Sequence, residues 1–285
     1  MRIILTTILL VAFFVNPLAA QELTGTLQQI KKSGKIRIGY REAEPPMSFK
    51  GKDGEPTGYT IDICKYVVTG VKDKIGTDIR VEYVPVTAKE RFDALVNNEI
   101  DILCGSTTKT LSRSELVDFT QLTFVTGASL MTLKGKQIND TAALNGKKVG
   151  VVKGTTTAVV LRELLQKTLT LAVTASYDTA GEGMEALRKG HIDAFSADQI
   201  VLIGLASNAE DPNTFAIASV VFSYEPFALA VRRNDADFRL VADRALSRLY
   251  RSGEILQIYE RWVGRFVPRR PPVYDAMFQL NATPE

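Results

Sequence analysis

The chain of 285 residues has few of the side chains that most metal and nucleophilic sites need. It contains one histidine, His191, and two cysteines, Cys64 and Cys104. Structural zinc sites and iron–sulfur clusters take several cysteines or histidines at short spacing, and no CxxC pair occurs here. Serine or cysteine nucleophiles usually need a histidine base, and only one is present. We therefore expect no catalytic residues, no metal and no cofactor.

The chain also lacks an excess of charge of one sign. Lys and Arg total 35 against 32 Asp and Glu, which gives a formal charge of +3. A nucleic-acid-binding domain usually carries a clear basic excess, so we expect no nucleic-acid partner. Hydrophobic residues make up 45% of the chain, which is enough for a large soluble core in one or two domains.

No apolar run is long enough for a comfortable membrane span, which needs about 20 residues. The amino terminus instead combines Arg2, a mainly apolar run over residues 3–15 and the small residues Ala19 and Ala20. This pattern predicts a secretory signal peptide over residues 1–20, cleaved after Ala20. The residue directly after the predicted cleavage point is Gln21 rather than a cysteine, so we expect a mature protein that is soluble in the periplasm and carries no lipid anchor.

Export would permit a disulfide, but the local patterns favour two separate thiols. Cys64 falls within a helical pattern and Cys104 at the end of a strand pattern. Cysteine is often simply a small buried hydrophobic residue. We therefore expect two buried thiols rather than a bond between them.

Short apolar strands alternate with amphipathic helices from residue 35 to about residue 251. The predicted strands include residues 35–40 and 169–175, and a helical pattern covers residues 235–251. Two such blocks are separated by an apolar stretch without helical period, residues 119–132, and a similar stretch, residues 220–231, follows the second block. Such alternation predicts parallel βαβ units, hence an α/β protein whose chain crosses between two lobes twice. We expect lobe 1 over residues 21–125, lobe 2 over 126–224, and a return to lobe 1 over 225–285. Prolines near residue 270 should end the last helix and leave the final segment wrapped on the surface.

Three turn-rich segments follow predicted strands: residues 39–49, 104–113 and 151–157. Open α/β sheets bind ligands at the carboxyl ends of their strands, so these segments should line one crevice. The third segment leads into a helix, where free N–H groups and the helix dipole favour an anion. The segments also carry hydroxyls and arginines, so the crevice is suited to a carboxylate ligand.

Several motifs occur together in an order and spacing typical of one known family. They are Gly39-Tyr40-Arg41-Glu42, Pro85-Val86-Thr87-Ala88-Lys89-Glu90-Arg91-Phe92, Cys104-Gly105-Ser106-Thr107-Thr108, Ser112-Arg113-Ser114-Glu115, Val117-Asp118-Phe119-Thr120 and Gly154-Thr155-Thr156. From residue 31 to 278 the chain resembles the bacterial extracellular solute-binding proteins of family 3, which serve polar amino-acid ABC transporters, and within them the glutamate/aspartate-binding branch. The resemblance implies a type II periplasmic-binding fold of two α/β lobes joined by two hinge strands. It also implies an acidic L-amino acid ligand, an inner-membrane ABC permease as partner and a monomer.

The resemblance assigns residues to the α-carboxylate and the α-ammonium, the two groups that every amino-acid ligand has. Arg113 matches the arginine that pairs with the α-carboxylate, for which a planar guanidinium is well shaped. Ser106 and Thr108 match residues that hold the α-carboxylate and the α-ammonium. Asp198 matches the acid that takes the ammonium from lobe 2.

The remaining matches concern closure of the lobes and recognition of the ligand's side chain. Thr155 and the N–H groups of Thr156 should close on the ligand from a helix start. Arg41 and Arg91 match residues that read an acidic side chain. Two further arginines in an enclosed pocket are costly unless the ligand brings a second negative charge, which favours glutamate or aspartate.

Two departures from the acidic branch leave alternatives open. Ala88 stands where that branch often has a serine, and residues 176–181 lack a pocket histidine found in its members. One alternative is therefore a broad-specificity polar amino-acid-binding protein. Another is a periplasmic dehydratase on the same fold, with Glu42 or Glu44 as its acid.

Each candidate also has an ordinary structural explanation. Arg41 could pair with Glu42 or Glu44 at the surface, and Arg91 could lie on a solvated helix face. Asp198 could serve only as a helix cap. His191 is expected in an exposed turn.

Overall fold

The computed structural model describes residues 22–136, 138–267 and 269–285. The predicted signal peptide lies outside these residues. None of the helices described has the length and apolar character needed to cross a membrane. Within the described ranges the α-helices are α1 (Gly25–Ser33), α2 (Tyr59–Ile75), α3 (Arg91–Val96), α4 (Thr156–Lys167), α5 (Ala180–Arg188), α6 (Gln199–Ser207), α7 (Ala236–Ser252), α8 (Glu254–Trp262) and α9 (Pro272–Leu280). The strands are β1 (Lys35–Tyr40), β2 (Ala43–Glu44), β3 (Ser48–Lys50), β4 (Pro56–Thr57), β5 (Arg80–Pro85), β6 (Ile102–Cys104), β7 (Val117–Thr126), β8 (Ala128–Leu133), β9 (Lys148–Val152), β10 (Val173–Tyr177), β11 (Ala194–Asp198), β12 (Phe215–Ile217) and β13 (Glu225–Arg232).

Most strands belong to two five-stranded sheets of the same design. The first has the order β5-β1-β6-β13-β7 and the second β10-β9-β11-β8-β12. In each sheet three parallel strands are followed by one strand that runs antiparallel to both of its neighbours. We call the first sheet with its packed helices lobe 1 and the second lobe 2. The predicted α/β fold with two mostly parallel sheets is confirmed.

The antiparallel strand of each sheet is the one that enters from the other lobe. The chain leaves lobe 1 at the end of β7 and enters lobe 2 as β8, with only Gly127 between them. It returns between β12 and β13. A Cβ placed on Gly127 would lie 2.4 Å from the carbonyl oxygen of Ser223, so the two crossings touch at this point. The residue limits of the lobes stay a prediction.

Helices cover both sheets and fill the core of lobe 1. In lobe 2, α4, α5 and α6 pack on the strands. In lobe 1, α2 packs against α7 and α8, and the long apolar strand β7 lies beneath α7 and α9. The strand predicted over residues 169–175 lies later in the chain, as β10, because Leu169 adopts φ 53° and the segment after α4 turns. The predicted strand over residues 35–40 coincides with β1.

The expectation of two separate thiols is wrong. Cys64 in α2 and Cys104 at the end of β6 form a disulfide, with their Cα atoms 6.4 Å apart. Both residues are fully buried. Helix α2 packs directly against β6, and this contact between elements 40 residues apart brings the two sulfurs together. Local periodicity carries no information about that distance.

The expectation for the carboxyl-terminal segment is also wrong. Pro272 begins helix α9, because proline is well tolerated in the first turn, where no intrahelical N–H partner is needed. Met277 and Phe278 are buried, and the Tyr274 hydroxyl donates to the carbonyl of Val125 at 2.9 Å. The last helix therefore forms part of the lobe 1 core rather than a surface strap.

Candidate functional site

One cavity between the lobes is lined by all eight residues that the sequence predicts for a binding site. It lies at the carboxyl ends of β1, β6, β9 and β11, as expected for open α/β sheets. The space open to the centres of water molecules is about 20 Å³, so the lobes are closed on each other. Two residues not predicted for the site, Glu44 and Ala88, line it as well. The eight predicted residues are Arg41, Arg91, Ser106, Thr108, Arg113, Thr155, Thr156 and Asp198.

Arg113 connects the two lobes. It opens a short 3₁₀ turn after β6 and donates to the carbonyl of Thr108 at 2.8 Å and to that of Gly154, in lobe 2, at 3.3 Å. Burial lowers the pKa of Arg113, and the nearby carboxylates Glu225 and Asp198 act in the opposite direction. These neighbours place the guanidinium inside the cleft rather than on a solvated surface.

Arg91, the first residue of α3, is a buried cation that makes no ion pair in the described part of the chain. It is 2% exposed and donates to the carbonyls of Ala88 and Gly154. Its Nε is buried and has no hydrogen-bond partner. Burial lowers the pKa of Arg91 well below its usual value, and the positive charges of Arg113 and Arg41 add to this effect. The explanation by a solvated helix face is therefore wrong.

Arg41, in contrast, already has a carboxylate partner. Its Nη2 lies 2.8 Å from Oε1 of Glu44, and both residues are buried. The other oxygen of Glu44 accepts a hydrogen bond from the Ser106 hydroxyl. The pairing foreseen for Arg41 is real, but it lies inside the cavity instead of at the surface. Glu44 therefore competes with any ligand carboxylate for Arg41 and for the hydroxyl of Ser106.

The turn that starts α4 brings lobe 2 up to lobe 1. Thr155 caps this helix, since its hydroxyl accepts from the Ala158 N–H at 3.2 Å and donates to the Val152 carbonyl at 2.7 Å. That hydroxyl is thus used within the chain, and the free donors here are backbone N–H groups. Gly154 has φ 73°, and a Cβ there would lie 2.9 Å from the carbonyl oxygen of Ala88. Only glycine permits this close approach.

Asp198 ends β11 and precedes α6, but it does not act as a helix cap. Its side chain makes no capping hydrogen bond, and its Oδ1 is buried without a partner. Burial raises the pKa of Asp198 well above its usual value, and the negative charges of Glu225 and Glu44 add to the shift. A buried acceptor without a donor is unusual in a native protein, and a cationic ligand group would satisfy it.

Glu225 lies directly behind the cavity lining, and sequence reasoning missed it. It is the first residue of β13, is 1% exposed, and accepts hydrogen bonds from the hydroxyls of Thr108, Thr156 and Ser223, of which the two threonines line the cavity. A signal was available in the sequence. A glutamate precedes six consecutive apolar residues of the strand, and a buried carboxylate in such a place must be held by specific donors.

The cavity and its immediate surroundings contain as many negative as positive groups. Three guanidinium groups face the carboxylates of Glu44, Asp198 and Glu225. His191 is exposed and outside the cavity, as expected. No cluster of at least three histidine, cysteine or carboxylate side chains suited to a metal is found among the described residues. The positive and negative charges of the cavity and its surroundings therefore balance.

Two closed α/β lobes with an enclosed, zwitterion-matched cavity between them define a two-lobed ligand-binding protein. Residues 36–265 match the family model of bacterial extracellular solute-binding proteins, family 3. The chain belongs to this family.

Its relatives include transport proteins that bind amino acids. The chain is 33% identical to an L-glutamate/L-aspartate-binding protein of Pseudomonas aeruginosa, over 99% of this chain and 95% of that one. It is 31% identical to a glutamate/aspartate import solute-binding protein of Escherichia coli, over 92% of this chain and 87% of that one. Among solved structures, it superposes on the solute receptor for L-cysteine of Neisseria gonorrhoeae with a TM-score of 0.76 at 26% identity, covering 87% of this chain and 98% of that one.

Proposed function

We propose that this protein captures an acidic L-amino acid in the periplasm and delivers it to an inner-membrane ABC permease. The observation that carries the proposal is Arg91, a buried guanidinium with an unpartnered Nε that makes no ion pair among the described residues. The nearby carboxylates of Glu44 and Asp198 raise its pKa, but by less than burial and the positive charges of Arg113 and Arg41 lower it. An isolated buried charge is expensive unless it is paired. A second carboxylate on the ligand would supply that pair.

The proposed binding mode uses one group for each ligand charge. The α-carboxylate lies against Arg113 and the N–H groups at the start of α4, where a bidentate guanidinium and the helix dipole both favour an anion. The α-ammonium lies against Asp198, whose Oδ1 has no other partner. The side-chain carboxylate lies against Arg91. Arg41 is the second residue that contacts the side-chain carboxylate. It does so either while it keeps its ion pair with Glu44 or after that ion pair breaks.

Ligand binding and lobe closure are coupled in this arrangement. Arg91 and Arg113 come from lobe 1, and both donate to Gly154 of lobe 2. A ligand between them touches both lobes, so it binds the closed form better than the open form and shifts the population toward it. We propose that the permease recognises the rim of this closed form and that the protein acts as a monomer.

The dehydratase alternative has less support in the geometry. Glu42 is exposed, and both oxygens of Glu44 are occupied: Oε1 forms the ion pair with Arg41 and Oε2 accepts the hydrogen bond from Ser106. Neither is placed as a proton donor toward a ligand. We therefore propose no catalytic role. The broad-specificity alternative has one specific observation in its favour, namely that Glu44 already neutralises Arg41.

Calorimetric titration of the chain from residue 21, refolded to remove bound ligand with the disulfide kept intact, tests the proposal. Glutamate, aspartate, glutamine and histidine serve as ligands. We expect glutamate or aspartate to bind with micromolar or better affinity, about −8 kcal/mol, and the other two at least tenfold more weakly. Equal binding of glutamine or histidine would establish the broad-specificity alternative. Absence of binding by all four would overturn the proposed function.

A further inference from the structure

We propose that Glu225 is a positioning residue that turns the hydroxyls of Thr108 and Thr156 into hydrogen-bond acceptors for the ligand ammonium, and that it completes this arrangement only when the lobes close. The inference deepens the proposed function and rests on it. Asp198 alone does not explain how the site distinguishes the α-ammonium of an amino acid from its α-carboxylate.

The geometry around Glu225 determines where three hydroxyl hydrogens point. Its Oε2 lies 2.6 Å from Oγ1 of Thr108 and 2.7 Å from Oγ1 of Thr156, and its Oε1 lies 2.7 Å from Oγ of Ser223. An ionised carboxylate can only accept hydrogen bonds, so each hydroxyl must donate its single hydrogen to Glu225. In the described part of the chain Glu225 makes no ion pair with a lysine or arginine, so these hydroxyls are its main support.

The Oγ1 atoms of Thr108 and Thr156 then have no further hydrogen to donate and can only accept hydrogen bonds. They lie 3.2 Å apart, but neither has a hydrogen to give the other. Both residues line the ligand cavity, together with the unpartnered Oδ1 of Asp198. A protonated amine has three N–H donors, and this end of the cavity offers three acceptors without donors. A ligand carboxylate placed against these three oxygens would meet lone pairs and negative charge, so the ammonium is favoured there and the α-carboxylate is left to Arg113.

The same bonds tie ammonium recognition to closure. Glu225 and Thr108 belong to lobe 1, whereas Thr156 is the first residue of α4 in lobe 2. The hydrogen bond from Thr156 to Glu225 therefore crosses the cleft and forms as the lobes meet. An ammonium held by Thr108 in lobe 1 gains the two acceptors of lobe 2, Thr156 and Asp198, only in the closed form. This gives the ligand the differential affinity that closure requires.

The test compares glutamate with glutarate, which keeps both carboxylates and lacks only the α-ammonium. The quantity measured by calorimetry is the ratio of the glutarate Kd to the glutamate Kd. In Glu225→Gln, the buried negative charge is lost and one acceptor oxygen becomes a donor, so we expect the ratio to fall at least tenfold. Ser223→Ala is the matched control, because it removes a donor to the same carboxylate from outside the cavity. We expect its ratio to stay within about twofold of the wild type.

A second pair of variants keeps the inference testable if Glu225→Gln does not fold. Thr156→Val removes one acceptor and keeps the shape, and should lower the ratio severalfold, while Thr156→Ser should restore it. Unchanged ratios in the folded Glu225 and Thr156 variants would overturn the inference and leave the proposed function standing. If the wild type prefers another amino acid, that ligand and its deamino analogue replace the pair. A wild type that binds no amino acid would overturn both proposals.

Discussion

The guanidinium of Arg41 and the carboxylate of Glu44 form a buried ion pair, Nη2 to Oε1 2.8 Å, inside the ligand cavity. The arginine that resembles a reader of acidic side chains is thus already neutralised by its own chain. Arg91 lies nearby with no such partner. The motifs treat the two arginines as equivalent, but only Arg41 has an ion-pair partner among the described residues. Substitutions at the two positions should therefore have different effects.

We expect Glu44→Gln to improve the binding of glutamate relative to glutamine. The substitution removes a negative charge that repels the ligand carboxylate and frees Arg41 to meet it. A gain of about tenfold in the ratio of the two affinities corresponds to about 1.4 kcal/mol. Calorimetry with both ligands measures it, and Glu42→Gln is the control because Glu42 is exposed. An unchanged ratio would show that Arg41 does not reach the side chain.

We expect Arg91→Met to weaken ligand binding without lowering the stability of the ligand-free protein. Loss of the buried cation should weaken glutamate binding at least a hundredfold. The ligand's side-chain carboxylate would then lose the one cation that is assigned to it and has no ion pair among the described residues. The thermal midpoint of the ligand-free protein should rise or stay the same, because an unpaired buried charge is costly to keep. Arg91→Lys retains the charge and should keep part of the affinity. A Met variant with a lowered midpoint and normal glutamate binding would mean that Arg91 is structural.

Binding should weaken as the pH falls through the raised pKa of Asp198. Burial, together with Glu225 and Glu44, raises this pKa in the closed protein without ligand. A ligand ammonium beside Asp198 stabilises the ionised form and lowers the pKa. Binding then releases a proton wherever the ligand-free carboxyl is protonated, so affinity rises with pH up to the raised pKa and levels off above it.

Titrations in two buffers of different ionisation enthalpy would count the protons released. Asp198→Asn should bind more weakly and lose the pH dependence attributed to this group. Proton uptake on binding at acidic pH, or an unaltered pH profile in the Asn variant, would contradict the role of Asp198 as the ammonium partner.

Opening the Cys64–Cys104 bond should destabilise the fold. The bond closes a loop of 40 residues, and the chain-entropy model then predicts a loss of about 3–4 kcal/mol of unfolding free energy. Urea unfolding of the oxidised protein and of the double variant Cys64→Ala, Cys104→Ala measures the difference. Adding a reductant to the double variant should change nothing further. Equal midpoints for the two proteins would show that the bond adds no stability.

Local patterns in the chain were sufficient to predict the class of fold and the turns that line the cleft, whereas the eight individual residues came from the family resemblance and Glu225 was missed. The strand over residues 35–40 and the helix beginning near residue 235 follow from periodicity alone, because one face of each element must be apolar to pack. The eight predicted residues meet in one cavity because turns after parallel strands share an edge of the sheet. The order of the elements already contains that information.

The tertiary structure alone decided which partners these residues have. Thr108 and Thr156 reach Glu225 from positions 117 and 69 residues away in the chain, and the sulfurs of Cys64 and Cys104 meet only because α2 packs on β6. Whether Arg41 faces a ligand or Glu44 depends likewise on how deeply the turn after β1 is buried. Such contacts depend on distances between elements far apart in the chain, and the periodicity of each element is the same whether or not they form.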